Sequence, residues 1–311
     1  MNAVTPRLTC AFLVSMAAVA LGCVQGGGLS HSVVERRRGS RVETYEVAGL
    51  GLGAVADGYT FRNARFRFEF DVAFAGVPGY ETEDARRRRG VEASEFLNGG
   101  YAFVRDIFGI EASKMLRVVI APTVRGADDD AYTSTSWREI GDEGGMIEGS
   151  EESVMHFGRE AFENRTALAH EMTHALLAAY RLPAWFSEGI ATLVEVDYAE
   201  SDRTDYADVT IEPIGLDENG RNVIQNWRGH GSDLPDRSSD TYGSAYAIVR
   251  EIGRRYGPEV YPRFFQDLRA TKAHLAGDGP SITVIVRTLS RVADTDVTPF
   301  FAEIAFDIPD V

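Results

Sequence analysis

His170-Glu171-Met172-Thr173-His174 lies inside an apolar-rich run, and Pro183-Ala184-Trp185-Phe186-Ser187-Glu188-Gly189-Ile190-Ala191 follows closely. The periodicity predicts a helix over 162–180 and a second over 184–196, broken by Leu182-Pro183. Residues four apart in a helix sit one turn above each other, so both imidazoles leave one face toward one point. Two neutral imidazoles on one helix make a rigid clamp for zinc. Glu171 neighbours the first histidine and would lie beside the open metal position as a general base. Ala167-Leu168-Ala169 and Ala175-Leu176-Leu177-Ala178-Ala179 flank the pair. That composition buries the helix on several sides, where an unpartnered imidazole is costly.

A catalytic zinc commonly takes three protein ligands and leaves a fourth position open. Glu188, with thirteen residues between it and His174, can be the third. Here the chain resembles the gluzincin metallopeptidases, whose second helix carries W-x-x-E-G-x-A; Trp185, Glu188, Gly189 and Ala191 match. The short-spaced, peptidase-MA-like branch is the nearest resemblance, through His174-Ala175-Leu176 and Leu182-Pro183. It implies a zincin-like α+β fold, with an N-terminal sheet lobe, a C-terminal helical lobe and the active-site helix between them. It also implies Zn²⁺ on His170, His174 and Glu188, and hydrolysis of a peptide or protein substrate. The oxyanion stabiliser in such families is a Tyr or His beyond the glutamate helix. Asp240-Thr241-Tyr242-Gly243-Ser244-Ala245-Tyr246 resembles that segment, giving Tyr242 first, then Tyr246, then His230. Thermolysin-type chains carry an Asp four residues after the zinc glutamate. Thr192 stands there, which leaves Glu195 to orient a histidine or to sit in a surface ion pair.

Outside this region, Phe66, Phe68 and Phe70 alternate with Arg65, Arg67 and Glu69, predicting a strand over 59–70. Further strands are expected at 116–121 and around 155–157, and helices at 81–107, 241–256, 259–268, 281–292 and 298–305. Residues 200–240 read as a long polar loop. Strands first and helices later point to one α+β domain. Within 81–107, Gly90, Gly99 and Gly100 weaken the helix, and the Arg86–Arg89 run is flanked by five acids, as a salt-bridged solvent face would be.

The chain has 311 residues, 44% of them apolar and 25% charged, as in soluble globular proteins. Its net charge of -15 argues against nucleic acid or anionic lipid as the main partner. Two cysteines exclude a disulfide framework. Arg7 precedes an apolar run over 11–21, too short to span a bilayer, and this reads as a secretory signal over 1–22. Ala20-Leu21-Gly22-Cys23 resembles a bacterial lipobox, which implies acylation of Cys23 and an exported protein anchored in the cell envelope. A plain signal peptide cut nearby is the alternative. Residues 23–40 read as a tether and 41–311 as the folded domain. Two rivals stay open: a degenerate zincin-fold lipoprotein acting as a binding or scaffold protein, and a zinc hydrolase of a non-peptide amide.

Overall fold

Asn63 decides where the first aromatic strand ends. Its carboxamide oxygen accepts from the backbone N–H of Arg65 (2.8 Å) and of Phe66 (2.7 Å), a local turn that competes with extended pairing. The expected strand over 59–70 is therefore a hairpin of β4 (Gly58–Arg62) and β5 (Phe66–Phe70). Phe61 and Phe68 are cross-strand partners with rings stacked at 5.0 Å. Phe66, Phe68 and Phe70 are buried, as the alternation requires.

The computed structural model describes residues 33–309 except 39–40, 48–49, 56–57, 72, 75–76, 113, 139–149, 200–208, 229–237 and 276–278. Signal and lipobox residues 1–23 lie outside them. The sheet has eight strands in the order β1-β2-β3-β4-β5-β6-β8-β7. β1 (Val33–Arg38), β2 (Arg41–Val47) and β3 (Leu50–Val55) continue the antiparallel meander away from β4. This corrects the tether boundary at residue 40, since Val33–Arg38 pairs along its whole length with β2.

From β5 the sheet turns parallel. β6 (Leu116–Ile120) pairs with β5 and with β8 (Ser150–Phe157), and β7 (Ala131–Arg138) lies antiparallel to β8 at the sheet edge. Helix α1 (Glu83–Phe108) makes the crossover from β5 to β6. Thr82 caps it, and Gly109 ends it in the left-handed region at φ 66. Gly90 has a packing role: a Cβ there would meet the Phe61 ring at 1.8 Å, so its absence lets α1 lie close on the sheet. The arginine run is paired as expected, Arg87 with Glu83 at 3.2 Å and Arg89 with Glu92 at 3.0 Å.

After β8 the described chain is mainly helical: α2 (Arg159–Glu163), α3 (Arg165–Leu177), α4 (Ala184–Leu193), α5 (Ser238–Tyr256), α6 (Val260–Thr271), α7 (Ile282–Ala293) and α8 (Thr298–Glu303). The class is α+β. One correction concerns 162–180, which is not a single helix. Asn164, with extended backbone (ψ 116), ends α2 and caps α3 by accepting from the Thr166 N–H at 2.9 Å. A 3₁₀ turn, Ala178–Tyr180, follows α3. Among the described residues no helix is long and apolar enough to cross a membrane.

Candidate active site

Helix α3 is embedded between α1, α4 and strands β7 and β8. Leu168, Ala169, Met172, Ala175, Leu176 and Leu177 are buried, as the alanine-leucine flanks predict. His170 and His174 emerge from the remaining face one turn apart. Their Nε2 atoms are 3.1 Å from each other. The Oε2 atom of Glu188 lies 3.2 Å from His174 Nε2 and 3.5 Å from His170 Nε2. The three expected ligand residues thus converge, and their donor set is able to hold a metal ion.

Two local features carry Glu188 there. Trp185 is fully buried against Phe306 (centroids 5.1 Å) and Phe301 of α8 (6.3 Å), which fixes α4 against the C-terminal segment. Gly189 lets α4 approach α5 closely, since a Cβ there would sit 2.5 Å from the Ala245 carbonyl oxygen. A backbone oxygen at that distance cannot move aside, so only glycine fits. Beyond α4 the helix widens into a π turn, Val194–Tyr198. That turn brings Glu195 Oε2 within 3.0 Å of His170 Nδ1 and Asp197 Oδ1 within 2.7 Å of the Tyr246 hydroxyl.

The second nitrogens of both imidazoles are therefore engaged. A carboxylate only accepts, so His170 Nδ1–H donates to Glu195. His174 Nδ1 lies 3.1 Å from Ser187 Oγ. Bonds at Nδ1 fix the ring orientation with Nε2 facing the Glu188 carboxylate. Thr192 is buried and also lines the site, while the histidine partner is Glu195, seven residues after Glu188.

Burial of His170 disfavours its charged form, but the bonds from Glu188 and Glu195 outweigh this and raise it to about 10. Burial likewise opposes charge on Glu188, yet the adjacent His174 and His170 hold its carboxyl well below the usual carboxylate range. Charge on His170 is thus favoured by the carboxylates around it. A divalent cation bound to these donors would compete with the proton on His170 and release it.

The site opens into a cavity of about 900 Å³, a size that suits a segment of substrate. Strand β7 forms one wall. Thr133 and Thr135 line the cavity together with Tyr132, whose ring stacks on His156, while Ser134 Oγ lies 3.3 Å from His156 Nε2. Thr133 Oγ1 lies 2.7 Å from Oε2 of the buried Glu171 carboxylate. Arg125 is clamped at the rim by Asp130, through Nε–Oδ2 and Nη2–Oδ1 bonds of 2.6 Å, and lies over the Tyr132 ring at 4.7 Å.

Tyr242, in the first part of α5, lines this same cavity and packs edge-on against Trp227 at 4.9 Å. Tyr246 is turned elsewhere. Its hydroxyl donates to Asp197 and accepts from Arg250 Nη1 at 3.3 Å, and burial with the Asp197 bond pushes it up to about 12. His230 lies outside the described residues. Sequence reasoning missed Ser187 and Thr133. Ser187 had a signal in its place beside Glu188, whereas Thr133 stands 38 residues before Glu171 with no motif around it.

No protein-family model and no curated protein matches this chain. Solved structures similar to it include an M1 zinc metallopeptidase from Deinococcus radiodurans, at 16% identity and TM-score 0.39, over 90% of this chain and 52% of that one. Another is Legionella pneumophila aminopeptidase A in complex with aspartic acid, at 14% identity and TM-score 0.44, over 90% and 28%. A third is the M60 catalytic domain of Clostridium perfringens ZmpB with its CBM51-1 and CBM51-2 domains, at 12% identity and TM-score 0.43, over 85% and 25%. This chain spans about half of the first and about a quarter of the other two.

Proposed function

We propose that this chain is a zinc-dependent peptidase of the short-spaced gluzincin type, acting on a peptide or protein substrate. The observation that carries this reading is the convergence of His170, His174 and Glu188, with the Glu171 carboxylate outside that donor set and beside the same cavity. The donor set fits zinc. Bonds of about 2.0–2.1 Å in a tetrahedron place ligand atoms roughly 3.3 Å apart, and the three separations here are 3.1, 3.2 and 3.5 Å.

Zinc, when bound there, supplies a Lewis acid that makes a neighbouring water acidic enough to lose a proton near neutral pH. Glu171 accepts that proton and later returns it to the leaving amine. The Tyr242 hydroxyl donates to the oxygen that gains charge on the attacked carbonyl. Glu195 and Ser187 hold the two imidazoles in register through Nδ1. The acidic balance of the chain, -15, fits a peptide better than a nucleic acid partner.

The test is zinc analysis of the purified chain together with cleavage of a peptide library. About one zinc per chain is expected, with cleavage that a chelator stops and added zinc restores. Protein that is folded but neither binds zinc nor cleaves any library member would leave the scaffold reading in its place.

The proposal extends to location. Ala20-Leu21-Gly22-Cys23 supports export and lipid anchoring at Cys23 in a bacterial cell envelope. Labelling with a palmitate analogue is expected to tag the wild type, and Cys23→Ala is expected to be released in soluble form. Unchanged membrane association of the variant would end the anchoring claim and leave the peptidase claim standing.

A further inference from the structure

We propose that Thr133, on the edge strand β7, is a positioning residue that holds the Glu171 carboxylate for proton transfer; this rests on the peptidase reading above. Thr133 Oγ1 lies 2.7 Å from Glu171 Oε2 and 3.2 Å from the Glu171 carbonyl oxygen. A hydroxyl has one proton to give. The shorter contact is to the charged acceptor, and charge-assisted bonds are the stronger ones, so the proton goes to Oε2. Among the described residues the Glu171 carboxylate has no other hydrogen-bond partner.

That bond answers a mechanical problem. The histidines are each held at both ring nitrogens, but Glu171 lies outside the ligand set and would have several rotamers. Packing alone does not choose which oxygen faces the reacting water. Thr133 occupies Oε2 and leaves Oε1 to take the proton. Its own position is fixed by the sheet, where Thr133 is paired with the fully buried Met155 of β8. Strand β7 therefore sets the geometry of the base as well as forming a wall of the cavity. Positioning of this kind acts on the chemical step more than on substrate affinity.

The experiment compares Thr133→Val, Thr133→Ser and Thr133→Ala in the full chain, on a peptide that the wild type cleaves. Each variant is also assayed for zinc content and melting temperature. Thr133→Val keeps shape and removes the hydroxyl. It is expected to lower kcat about tenfold, the scale of one hydrogen bond to a charged group, with KM changed less than about twofold. Zinc content should be unchanged. Thr133→Ser should stay within about threefold of wild-type kcat. In a Glu171→Gln background, Thr133→Val should cost nothing further, because the residue acts through that carboxylate.

A Thr133→Val protein with wild-type kcat overturns the proposal, as does equal loss in Thr133→Ser or a loss that adds in full to that of Glu171→Gln. If Thr133→Val does not fold, the Ser and Ala variants make the same hydroxyl comparison. A wild type that cleaves nothing removes the peptidase reading and this inference together. A wild type that cleaves but ignores the hydroxyl removes only this one.

Discussion

Glu171→Gln is expected to keep its zinc and to lose about 10²–10⁴-fold in kcat, the usual cost of removing a general base. Gln has nearly the same shape and can still accept from the Thr133 hydroxyl, so the fold and the donor set of His170, His174 and Glu188 should survive. What disappears is the ability to take a proton. This separates the enzyme from the scaffold more sharply than metal analysis does, because a structural zinc would give the same stoichiometry in both cases. Glu171 is 6% exposed and holds a carboxylate against a wall of the cavity, a costly arrangement for a residue with no chemical duty. The measurement is single-turnover cleavage by zinc-loaded wild type and variant, with zinc determined on the same samples. Equal rates on every substrate would leave the hydrolase reading without support.

The parts of the site legible in the sequence are those fixed by short-range periodicity. His170 and His174 share a face because a helix repeats every 3.6 residues, whereas Glu188 was reached through the resemblance of Trp185, Glu188, Gly189 and Ala191 to W-x-x-E-G-x-A. Glu195 was reachable by helical spacing, two turns beyond Glu188, although the turn that delivers it is π-helical. Thr133 was not legible, because its meeting with Glu171 depends on β7 reversing direction beside β8. In the fold, the strand alternation of Phe66, Phe68 and Phe70 held, while Asn63 and Asn164 broke elements that had been expected to run through them. Both act through side-chain bonds to backbone N–H groups, which a hydrophobic pattern does not record. Gly90 showed the opposite failure. Propensity counted it against α1, yet the helix runs through it because the missing Cβ is what lets the helix reach Phe61.

Removal of the metal is expected to destabilise the protein, and more so at alkaline than at mildly acidic pH. At free zinc about a thousandfold above Kd, the bound ion stabilises the folded state by about 4 kcal/mol. For a chain of this size that corresponds to a melting shift of order 10 °C. The pH dependence follows from what replaces the ion. In the metal-free site His170 is raised to about 10, because Glu188 and Glu195 favour its charged form over the burial that opposes it. A raised imidazole contributes stability that is fully present below its unfolded value, about 6.5. That contribution is lost as pH rises through the folded value. Glu188, held low, contributes throughout this range and weakens only in acid. The zinc form runs the other way, since the ion needs deprotonated imidazoles and competes better as pH rises. The gap between the melting temperatures of zinc-loaded and EDTA-treated protein should therefore widen from pH 6 to pH 9. His174→Ala leaves two ligands, so its melting temperature should be low and indifferent to EDTA. A full zinc complement in His174→Ala would show that the ion is held elsewhere. A melting gap in the wild type that narrows toward pH 9 would show that protons and metal do not compete for this site.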